Sequence, residues 1–482
     1  MPIVAVDDTD SRERGMCTTY VGARLAERLE SAGGRVRRRL LVRLNPAVKH
    51  KTRGNAAVAL HVSAIDAEAA FDLAAATVRE FAAADDPRTS PGVVVADVDV
   101  ADIDVADPAD AGDSLGASAI GPSPPSAATI PPDVTEFARR ALRHRLSLDE
   151  ALELADEHGF RHAAFGSGGE TEADAVAGRG RIGALAAVGA PAAFDDWTVE
   201  RISYRELDRC GTPRDVDVES VFAAADRGYP TVWDTVDRGT GEAVCVPNAP
   251  GPILHGIRGD DADACREVAE GIASEPVERA ATFVTNQGTD AHLAPGAIGD
   301  LRDGAGYRVA GVVASEPETR RGGHVHVDVA SPDDDPLPHL RCVAFKPTGR
   351  FRDRVRALRP GDRVTVCGEH EVRAVEGDAD RDGSDGDLPT ATLKLEKFAV
   401  RDLVETEPAV PICPDCGRSM SSAGRNQGYR CRDCGTDAPG KVEEPVERGL
   451  DVGWYEVPPR ARRHVAKPLV RGGFDAAIHP ER

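Results

Sequence analysis

The stretch Ile3-Val-Ala-Val-Asp7-Asp8-Thr9-Asp10-Ser11 decides how the first part of this 482-residue chain folds. Its first four residues are all apolar and mostly β-branched, which predicts a buried strand of an α/β sheet. From Thr18 the pattern becomes helical. The apolar face of that helix consists of Val21, Leu25 and Leu29. Because open α/β sheets bind ligands beyond the carboxyl ends of their strands, the acidic residues are predicted to lie at the mouth of a site.

The residues between the strand and the helix suit a nucleotide. Asp7, Asp8 and Asp10 are carboxylates of the kind that bind Mg²⁺, and the start of the helix offers amides that favour anions. Together they meet the needs of a nucleoside triphosphate. An ordinary acidic turn is the alternative. A phosphatase of the haloacid-dehalogenase type is disfavoured, because Arg12 stands where that motif needs Thr or Val.

Composition indicates habitat more than partner. The net charge is −22, and of 59 Lys and Arg residues only seven are Lys. An acidic, Lys-poor chain is expected of a high-salt cytoplasm, and it can still carry a basic face for nucleic acid. No charged-then-apolar leader follows Met1 and no apolar run reaches the length of a membrane span, so we expect a soluble cytoplasmic protein. Ten cysteines in 482 residues do not predict a disulfide framework.

Two further segments of the first 192 residues are candidates for phosphate contact. The loop Lys49-His50-Lys51-Thr52-Arg53-Gly54-Asn55 joins two predicted strands, and Lys, Arg and Gly in such a loop suit phosphate, although a solvated basic loop is the alternative. Gly178-Arg-Gly180-Arg-Ile-Gly183 formally fits a dinucleotide fingerprint, but no strand directly precedes it. A loop close to nucleotide or substrate, or close helix packing, explains the glycines better. The composition of residues 106–130 and 376–387 indicates charged insertions.

The middle of the chain predicts two more units. Short strands and a helix from about Asp195 suggest an α+β, ferredoxin-like domain. Within it, Trp233–Asp237, Gly256–Gly259 and Thr285–His292 are polar or glycine-containing strings that suggest substrate or RNA contact, with turn chemistry as the alternative. Residues 307–403 give about five strands, as an OB-fold barrel has, and that fold favours a nucleic-acid ligand.

The C-terminal part carries the most specific metal motif. Two C-x-x-C pairs have the spacing of a structural zinc ribbon with four thiolate ligands. The predicted ligands are Cys413, Cys416, Cys431 and Cys434. The tail Gly453–Arg471 mixes aromatic and basic residues, which predicts a nucleic-acid patch, with tail packing as the alternative.

The string Asp7–Ser11, continued by Gly15-Met16-Cys17-Thr18-Thr19, resembles the opening of the archaeal tRNA(Ile) 2-agmatinylcytidine synthetases. Lys51-Thr52-Arg53-Gly54-Asn55 resembles a second signature of that family. The resemblance implies an ATP-dependent ligase that attaches agmatine at C2 of the wobble cytidine of the CAU-anticodon isoleucine tRNA, through phosphorylated intermediates. It also implies that Asp7, Asp8 and Asp10 serve the ATP–metal chemistry and that Thr18 is phosphorylated.

These interpretations combine into a multidomain α/β and α+β protein. The expected units are an N-terminal α/β kinase-like domain, a ferredoxin-like domain, an OB-fold barrel and a zinc ribbon with a basic tail, at residues 1–192, 193–298, 299–406 and 407–482. The expected cofactors are ATP, Mg²⁺ and Zn²⁺, and the expected partners are isoleucine tRNA and agmatine, with no membrane and no obligate protein partner. The expected nucleotide contacts are Lys51, Thr52, Arg53, Gly54, Asn55, Gly178 and Gly180. The alternatives are a non-catalytic single-strand binder with OB-fold and ribbon, and a generic Mg-dependent kinase or phosphatase.

Overall fold

The computed structural model describes residues 1–13, 15–48, 54–98, 130–166, 178–331, 338–373, 390–463 and 465–482. The basic segment 49–53 and most of the two charged insertions therefore lie outside the described residues. The described strands form two nine-stranded sheets and two small sheets near the C-terminus. None of the described helices combines the length and the apolar character that a bilayer crossing requires.

The first sheet runs through the N-terminal 285 residues, in the order β5-β4-β1-β3-β2-β9-β6-β8-β7. Its strands and the helices between them are β1 (Pro2–Asp7), α1 (Thr18–Ser31), β2 (Arg35–Arg43), β3 (Ala56–Ser63), α2 (Ala67–Phe81), β4 (Gly92–Asp97), α3 (Pro132–Arg140), α4 (Leu148–Glu157), β5 (Arg161–Ala164), α5 (Gly180–Ala193), β6 (Thr198–Tyr204), α6 (Val218–Gly228), β7 (Val232–Trp233), β8 (Ile253–Gly259), α7 (Ala262–Glu270) and β9 (Arg279–Thr285).

Strand β1 is buried because both faces of the sheet are covered. Ile3 and Ala5 pack in a core with α3, α4 and α5, whereas Val4 and Val6 pack with α1 and α2 on the other side. This burial explains the all-apolar run. The strand pairs antiparallel with both neighbours, β3 and β4, so the rule for parallel α/β sheets does not apply here. The acidic residues nevertheless follow the end of β1, as predicted.

A single parallel pairing joins the first unit to the second. Leu40 and Leu41 of β2 lie opposite Val284 and Thr285 of β9, which makes one continuous sheet of both units. In the second unit, α6 and α7 cover β6 and β8 around a separate apolar cluster. The chain is therefore a mixed α/β protein.

The second large sheet contains a closed ring of five strands. Its first elements are β10 (Leu293–Gly296), β11 (Ala305–Val313), β12 (Glu318–Thr319), β13 (Val325–Ala330), β14 (His339–Ala344), α8 (Phe351–Arg356), β15 (Arg363–Arg373) and β16 (Thr390–Asp402). The five-strand ring runs β11-β13-β14-β16-β15 and returns to β11, and β14–β16 is its parallel pair. Its interior is a core that includes Val309, Val327, Phe351 and Phe398.

The ribbon is inserted between the five-strand ring and a final pair of strands. It comprises β17 (Thr406–Ala409), β18 (Ser421–Ser422), β19 (Tyr429–Arg430), β20 (Asp437–Ala438) and β21 (Val442–Pro445), and the chain then returns to the second large sheet as β22 (Gly453–Glu456) and β23 (Ile478–His479). Strands β17 and β21 pair as a stem. Beyond the stem the ribbon buries only a small cluster, formed by Cys413, Met420 and Cys431 with two partly buried neighbours.

The prediction that the tail offers stacking aromatics to nucleic acid is wrong for its two aromatic residues. Trp454 is 2% exposed and Tyr455 4% exposed, because β22 pairs with β16 and turns Tyr455 onto Phe398, at 5.4 Å between ring centres. Two of the arginines are engaged as well. Arg462 forms ion pairs with Asp234 (2.7 Å) and Glu456 (2.6 Å), and Arg471 pairs with Asp260 (2.6 Å). The tail packs as a strap between the five-strand ring and the second unit.

Candidate functional site

The loop after β1 is held by its own backbone and by the loop before β4. The Ser11 amide donates to the Gly15 carbonyl at 2.8 Å, and the Ala83 amide donates to the Thr9 carbonyl at 3.0 Å. The Thr89 hydroxyl donates to the Asp10 carbonyl at 2.7 Å. We call residues 7–17 the acidic loop. These bonds fix its shape from both ends.

Asp7 lies nine-tenths buried at the base of the acidic loop. One of its carboxylate oxygens accepts a hydrogen bond from the Asp8 amide at 2.7 Å. Burial, followed by the neighbouring Asp8 charge, raises the pKa of Asp7 well above its usual range. The other oxygen lies against α5, where a Cβ on Gly183 would come within 1.9 Å of it. Only glycine allows the helix to approach this closely.

Asp8 is the carboxylate at which three segments meet. Its φ of 57° is in the left-handed region, and its Oδ2 accepts from the Ser90 amide at 3.2 Å. The same oxygen is 2.9 Å from Nη2 of Arg179, which immediately precedes α5. Burial raises the pKa of Asp8 to about 6, although Arg179 opposes the shift. Asp8 and Asp10 are both partly exposed.

The three aspartates do not form a ready-made metal cage. In the part of the chain that the structure describes, the four cysteines are the one group of three or more acidic, His or Cys side chains whose ligand atoms all lie within 4.8 Å of one another. Mg²⁺ differs from Zn²⁺ in this respect, because proteins commonly bind it through one or two carboxylates and the substrate phosphates. Two partly exposed carboxylates beside a buried third fit that mode of binding.

The two threonines at the start of α1 have different partners. Thr18 is 6% exposed and its hydroxyl accepts from the Thr9 hydroxyl at 3.1 Å, within the acidic loop. The Thr19 hydroxyl instead lies 3.1 Å from the Cys17 sulfur. The Thr18 side chain is therefore tied to the middle of the acidic loop.

The predicted glycines before α5 pack against β4. The Gly178 amide donates to the Ser90 hydroxyl at 2.6 Å, and Gly178 has a φ of +80°. A Cβ on Gly180 would lie 2.5 Å from the Gly92 nitrogen. Close helix packing therefore accounts for Gly180, and the Gly178–Ser90 bond holds this turn beside Asp8. Sequence reasoning missed Arg179, whose only signal was its place between these two glycines.

The second predicted contact loop is described only at its end. Lys51, Thr52 and Arg53 lie outside the described residues. The Asn55 side chain donates to the Asn45 carbonyl at 2.9 Å, which closes the base of the loop. A Cβ on Gly54 would come within 3.2 Å of the Arg43 guanidinium.

A charged wall of the second unit continues from Arg43. Glu200 on β6 is buried and binds Arg43 at 3.0 Å and Arg258 at 3.2 Å. Burial alone would raise the pKa of Glu200, but the two guanidinium groups hold that pKa below its usual range. The acidic loop meets this unit at Gly15, where an added Cβ would lie 2.9 Å from the Pro250 carbonyl oxygen. The sequence analysis did not identify Glu200.

One of the predicted contact strings has a structural role in part. The Asn286 side chain accepts from the Arg43 amide at 2.7 Å and donates to the Arg43 carbonyl at 3.0 Å. It therefore extends the pairing between β2 and β9 by one residue. Asn286 is fully buried, so this side chain joins the two units.

The four predicted zinc ligands come together. Their sulfur atoms lie within 4.8 Å of one another, and the Cys416 and Cys431 sulfurs are 3.5 Å apart. Each C-x-x-C pair closes a tight turn in which a glycine amide, at Gly417 or Gly435, donates back to the first cysteine carbonyl. Both glycines have positive φ, 71° and 73°. Four thiolates at these separations suit a tetrahedral Zn²⁺ with bonds of about 2.3 Å.

Three family models match the chain. Their descriptions are the TiaS TCKD domain at residues 3–66 and 63–167, the TiaS FLD domain at 178–292, and the TiaS C-terminal zinc ribbon domain at 410–450. The chain is 48% identical to the 2-agmatinylcytidine synthetase TiaS of Haloquadratum walsbyi, an enzyme named for its isoleucine tRNA, over 100% of both chains.

Two solved structures are similar over nearly the whole chain. A complex of TiaS with isoleucine tRNA and ATP has a TM-score of 0.78 at 37% identity, covering 100% of this chain and 99% of the other. A complex of TiaS with isoleucine tRNA, AMPCPP and agmatine has a TM-score of 0.75 at 34% identity, with the same coverage. The similarity extends from the first strand through the ribbon.

Proposed function

The chain belongs to the family of tRNA(Ile) 2-agmatinylcytidine synthetases, and from that premise we propose that its acidic loop carries the ATP-dependent step. The enzyme is a tRNA-modifying ligase that attaches agmatine to isoleucine tRNA, with ATP and agmatine as its other substrates. The observation that carries this function is the 48% identity over the full length of both chains. The cytoplasmic location stays a prediction.

The reaction needs phosphate chemistry because the C2 oxygen of cytosine is a poor leaving group. Transfer of the γ-phosphoryl group of ATP to that oxygen, in the wobble cytidine of the CAU anticodon, releases ADP. The agmatine amine then attacks C2, phosphate departs with the oxygen, and the amine loses a proton. In this scheme the acidic loop holds and neutralises the triphosphate.

We assign Asp8 and Asp10 to direct Mg²⁺ binding and Asp7 to the support of Asp8. The partial exposure of Asp8 and Asp10, and the hydrogen bond from the Asp8 amide to Asp7, support this division. Bound Mg²⁺ supplies positive charge to the β- and γ-phosphates. That charge also favours the ionised form of Asp8, whose burial works against ionisation.

Thr18 is the proposed phosphate acceptor within the protein. Its hydrogen bond to Thr9 supports this choice, because it directs the hydroxyl into the acidic loop. Lys51 and Arg53 are proposed phosphate contacts, with Thr52, Gly54 and Asn55 completing that loop. For Gly178 and Gly180 we propose backbone proximity to the nucleotide. The support is their position beside Asp8, through Ser90.

We propose the names kinase-like, ferredoxin-like and OB-fold for the three large units, with boundaries near residues 192, 298 and 406. The packing of α5 against β1 supports the first boundary, because this helix belongs to the core of the N-terminal unit. The five-strand ring with its β14–β16 parallel pair supports the OB-fold. In this arrangement the five-strand ring and the ribbon bind RNA.

We propose one Zn²⁺ held by Cys413, Cys416, Cys431 and Cys434. The separation of the four sulfurs supports this assignment. A site with four protein thiolates has no open position for substrate, so the metal is structural. It would fix the two turns that Gly417 and Gly435 close.

Mass analysis of the CAU-anticodon isoleucine tRNA after incubation with ATP, Mg²⁺ and agmatine tests the function. We expect a mass increase at the wobble cytidine that requires all three additions. A non-catalytic single-strand binder would bind the tRNA without changing its mass. A generic kinase would leave phosphate on the protein or tRNA without incorporating agmatine.

A further inference from the structure

Arg179 is a mostly buried cation at the acidic loop to which none of the predicted roles applies. Its side chain is 14% exposed, and its Nη2 lies 2.9 Å from Asp8 Oδ2. The same nitrogen donates to the carbonyl of Arg88. Arg179 thus joins the start of α5 to the proposed metal carboxylate.

The backbone around Arg179 is fixed by its neighbours. Gly178 and Gly180 both donate through their amides to Ser90, to its hydroxyl at 2.6 Å and to its carbonyl at 3.1 Å. An added Cβ at either glycine would lie 2.5 Å from a neighbouring atom, so this turn lies as close to β4 and β5 as its backbone permits. The Ser90 amide also donates to Asp8. The backbone of residue 179 and the carboxylate of Asp8 therefore keep a fixed relation, while the long arginine side chain can still rotate.

The charges explain why an arginine is placed there. Three aspartates lie within four residues, and the charges of Asp8 and Asp10 both raise the pKa of Asp7. Without a metal, the guanidinium partly neutralises Asp8. When Mg²⁺ and ATP occupy the loop, the metal takes over the charge of Asp8, and the guanidinium meets phosphate oxygens a short distance away. A planar guanidinium binds phosphate through two parallel hydrogen bonds, which a lysine cannot do.

We propose that Arg179 is a catalytic residue that exchanges Asp8 for the γ-phosphoryl group of bound ATP. This inference rests on the proposed function of the acidic loop. In the step that Arg179 assists, the bond from the γ-phosphorus to the β,γ-bridging oxygen breaks and a bond to the acceptor oxygen forms. ADP carries away the electron pair. When the Thr18 hydroxyl is the acceptor, its proton passes to water. Arg179 transfers no proton, and it stabilises the charge on the non-bridging oxygens of the moving group.

A purely structural role predicts a different pattern. If Arg179 only holds Asp8 in place, its loss weakens Mg²⁺ binding and affects ADP and ATP equally. If it contacts the γ-phosphoryl group, its loss affects nucleotides that carry that group and spares ADP. The ratio of the two affinities separates the roles without a measurement of turnover.

The experiment compares Arg179→Ala, Arg179→Lys and the control Arg88→Ala in the full-length chain. Arg88 is a matched control, because its side chain is about half exposed beside the same loop and its backbone carbonyl, which the substitution keeps, contacts Arg179. Calorimetry measures the binding of Mg²⁺-ADP and of a non-hydrolysable Mg²⁺-ATP analogue. We expect Arg179→Ala to reduce the preference for the analogue over ADP by about 10- to 100-fold. Arg179→Lys should recover part of the preference, and Arg88→Ala should retain it.

Phosphoryl transfer provides the second readout. We expect Arg179→Ala to lower kcat for transfer from ATP by about 10²- to 10³-fold at saturating Mg²⁺ and ATP. Unchanged melting of the variant would show that the fold is intact. An affinity ratio equal to that of the wild type would overturn the proposal. Wild-type protein that cleaves no ATP would instead overturn the proposed function of the loop, so the two failures are distinguishable.

Discussion

The acidic loop and the cysteine ribbon both gather side chains suited to metals, but the fold supports them in opposite ways. The acidic loop follows a strand whose two faces lie in large apolar cores, and its carboxylates are positioned by bonds to the segments before β4 and α5. The ribbon buries Cys413, Met420 and Cys431 and little else, and two of its four cysteines are exposed. In the first region the fold holds the ligands, whereas in the second the ligands hold the fold.

This difference separates chemistry from stability. Each fully buried Val or Ile side chain of β1 contributes about 1.5–3 kcal/mol, so the N-terminal fold survives the loss of one carboxylate. The ribbon has no comparable reserve and depends on metal–thiolate bonds. Substitution of a ligand should therefore abolish activity in one region and local structure in the other.

The largest expected effect is the loss of the ribbon without metal. Structural zinc contributes an apparent free energy on the order of 10–16 kcal/mol in small zinc modules. We expect metal analysis to find about one Zn²⁺ per chain, and chelation or Cys431→Ser to unfold residues near 410–450 as measured by proteolysis. The N-terminal unit should remain folded. Cys210→Ser, at a cysteine remote from the ribbon in sequence, serves as the control. A ribbon that resists protease after complete removal of metal would contradict the assignment.

The next effect is on activity. Asp8→Ala should lower ATP cleavage by about 10³-fold, because it removes a proposed metal ligand and leaves Arg179 without its carboxylate. Binding of tRNA should change little, since the five-strand ring and the ribbon are untouched. Steady-state ATPase assays and tRNA filter binding measure the two quantities, with Asp97→Ala at the opposite end of the β1–β4 pair as a control. ATPase activity retained in both Asp8→Ala and Asp10→Ala would remove the metal-site assignment.

Phosphorylation of Thr18 tests the geometry of the acidic loop more finely. After incubation with γ-labelled ATP, peptide mapping should find label in wild type and Thr19→Ala but none in Thr18→Ala. The reason is that Thr18 bonds to Thr9 in the acidic loop, whereas Thr19 contacts Cys17. Label that persists in Thr18→Ala and disappears in Thr19→Ala would reverse the assignment.

The smallest effect concerns acid stability of the first large sheet. His61 is fully buried, and burial lowers its pKa to about 3 from an ordinary value of 6.5. The unfolded chain binds a proton below pH 6.5 that the folded chain excludes, so this contribution to stability is complete above pH 6.5 and declines as the pH falls towards 3. Between about pH 6.5 and 5 the loss is about 2 kcal/mol.

Denaturant unfolding at several pH values measures this contribution. The free energy of unfolding should fall less steeply in His61→Leu than in wild type, by nearly one proton between about pH 5 and 6. The ribbon lacks histidine in its described residues, so its stability should not share this dependence. Equal slopes in the two proteins would show that His61 is not excluded from protonation.

Local patterns predicted the parts of the fold whose signal is local. The apolar run of Ile3–Val6 indicated a buried strand, and the cysteine spacing indicated the ribbon, because both depend on neighbours in sequence. The antiparallel pairing of β1 could not be predicted in this way, since it depends on which distant strands lie beside it. Arg179 and Asp8 are far apart in sequence and meet only in the folded chain. The aromatic and basic tail misled for the same reason, because its partners Asp234 and Asp260 belong to another unit.

The strap formed by the tail has a consequence for work in concentrated brine. Salt weakens ion pairs that face water, such as Arg418–Asp433 on the ribbon, and weakens enclosed ones much less. At the junction of the five-strand ring with the second unit, Arg462 and Asp234 are each 4% exposed and Glu456 is 1% exposed. The ring is thus fastened by charges that dissolved ions do not reach. The distance between the acidic loop and the proposed RNA-binding end of the molecule is therefore set independently of salinity.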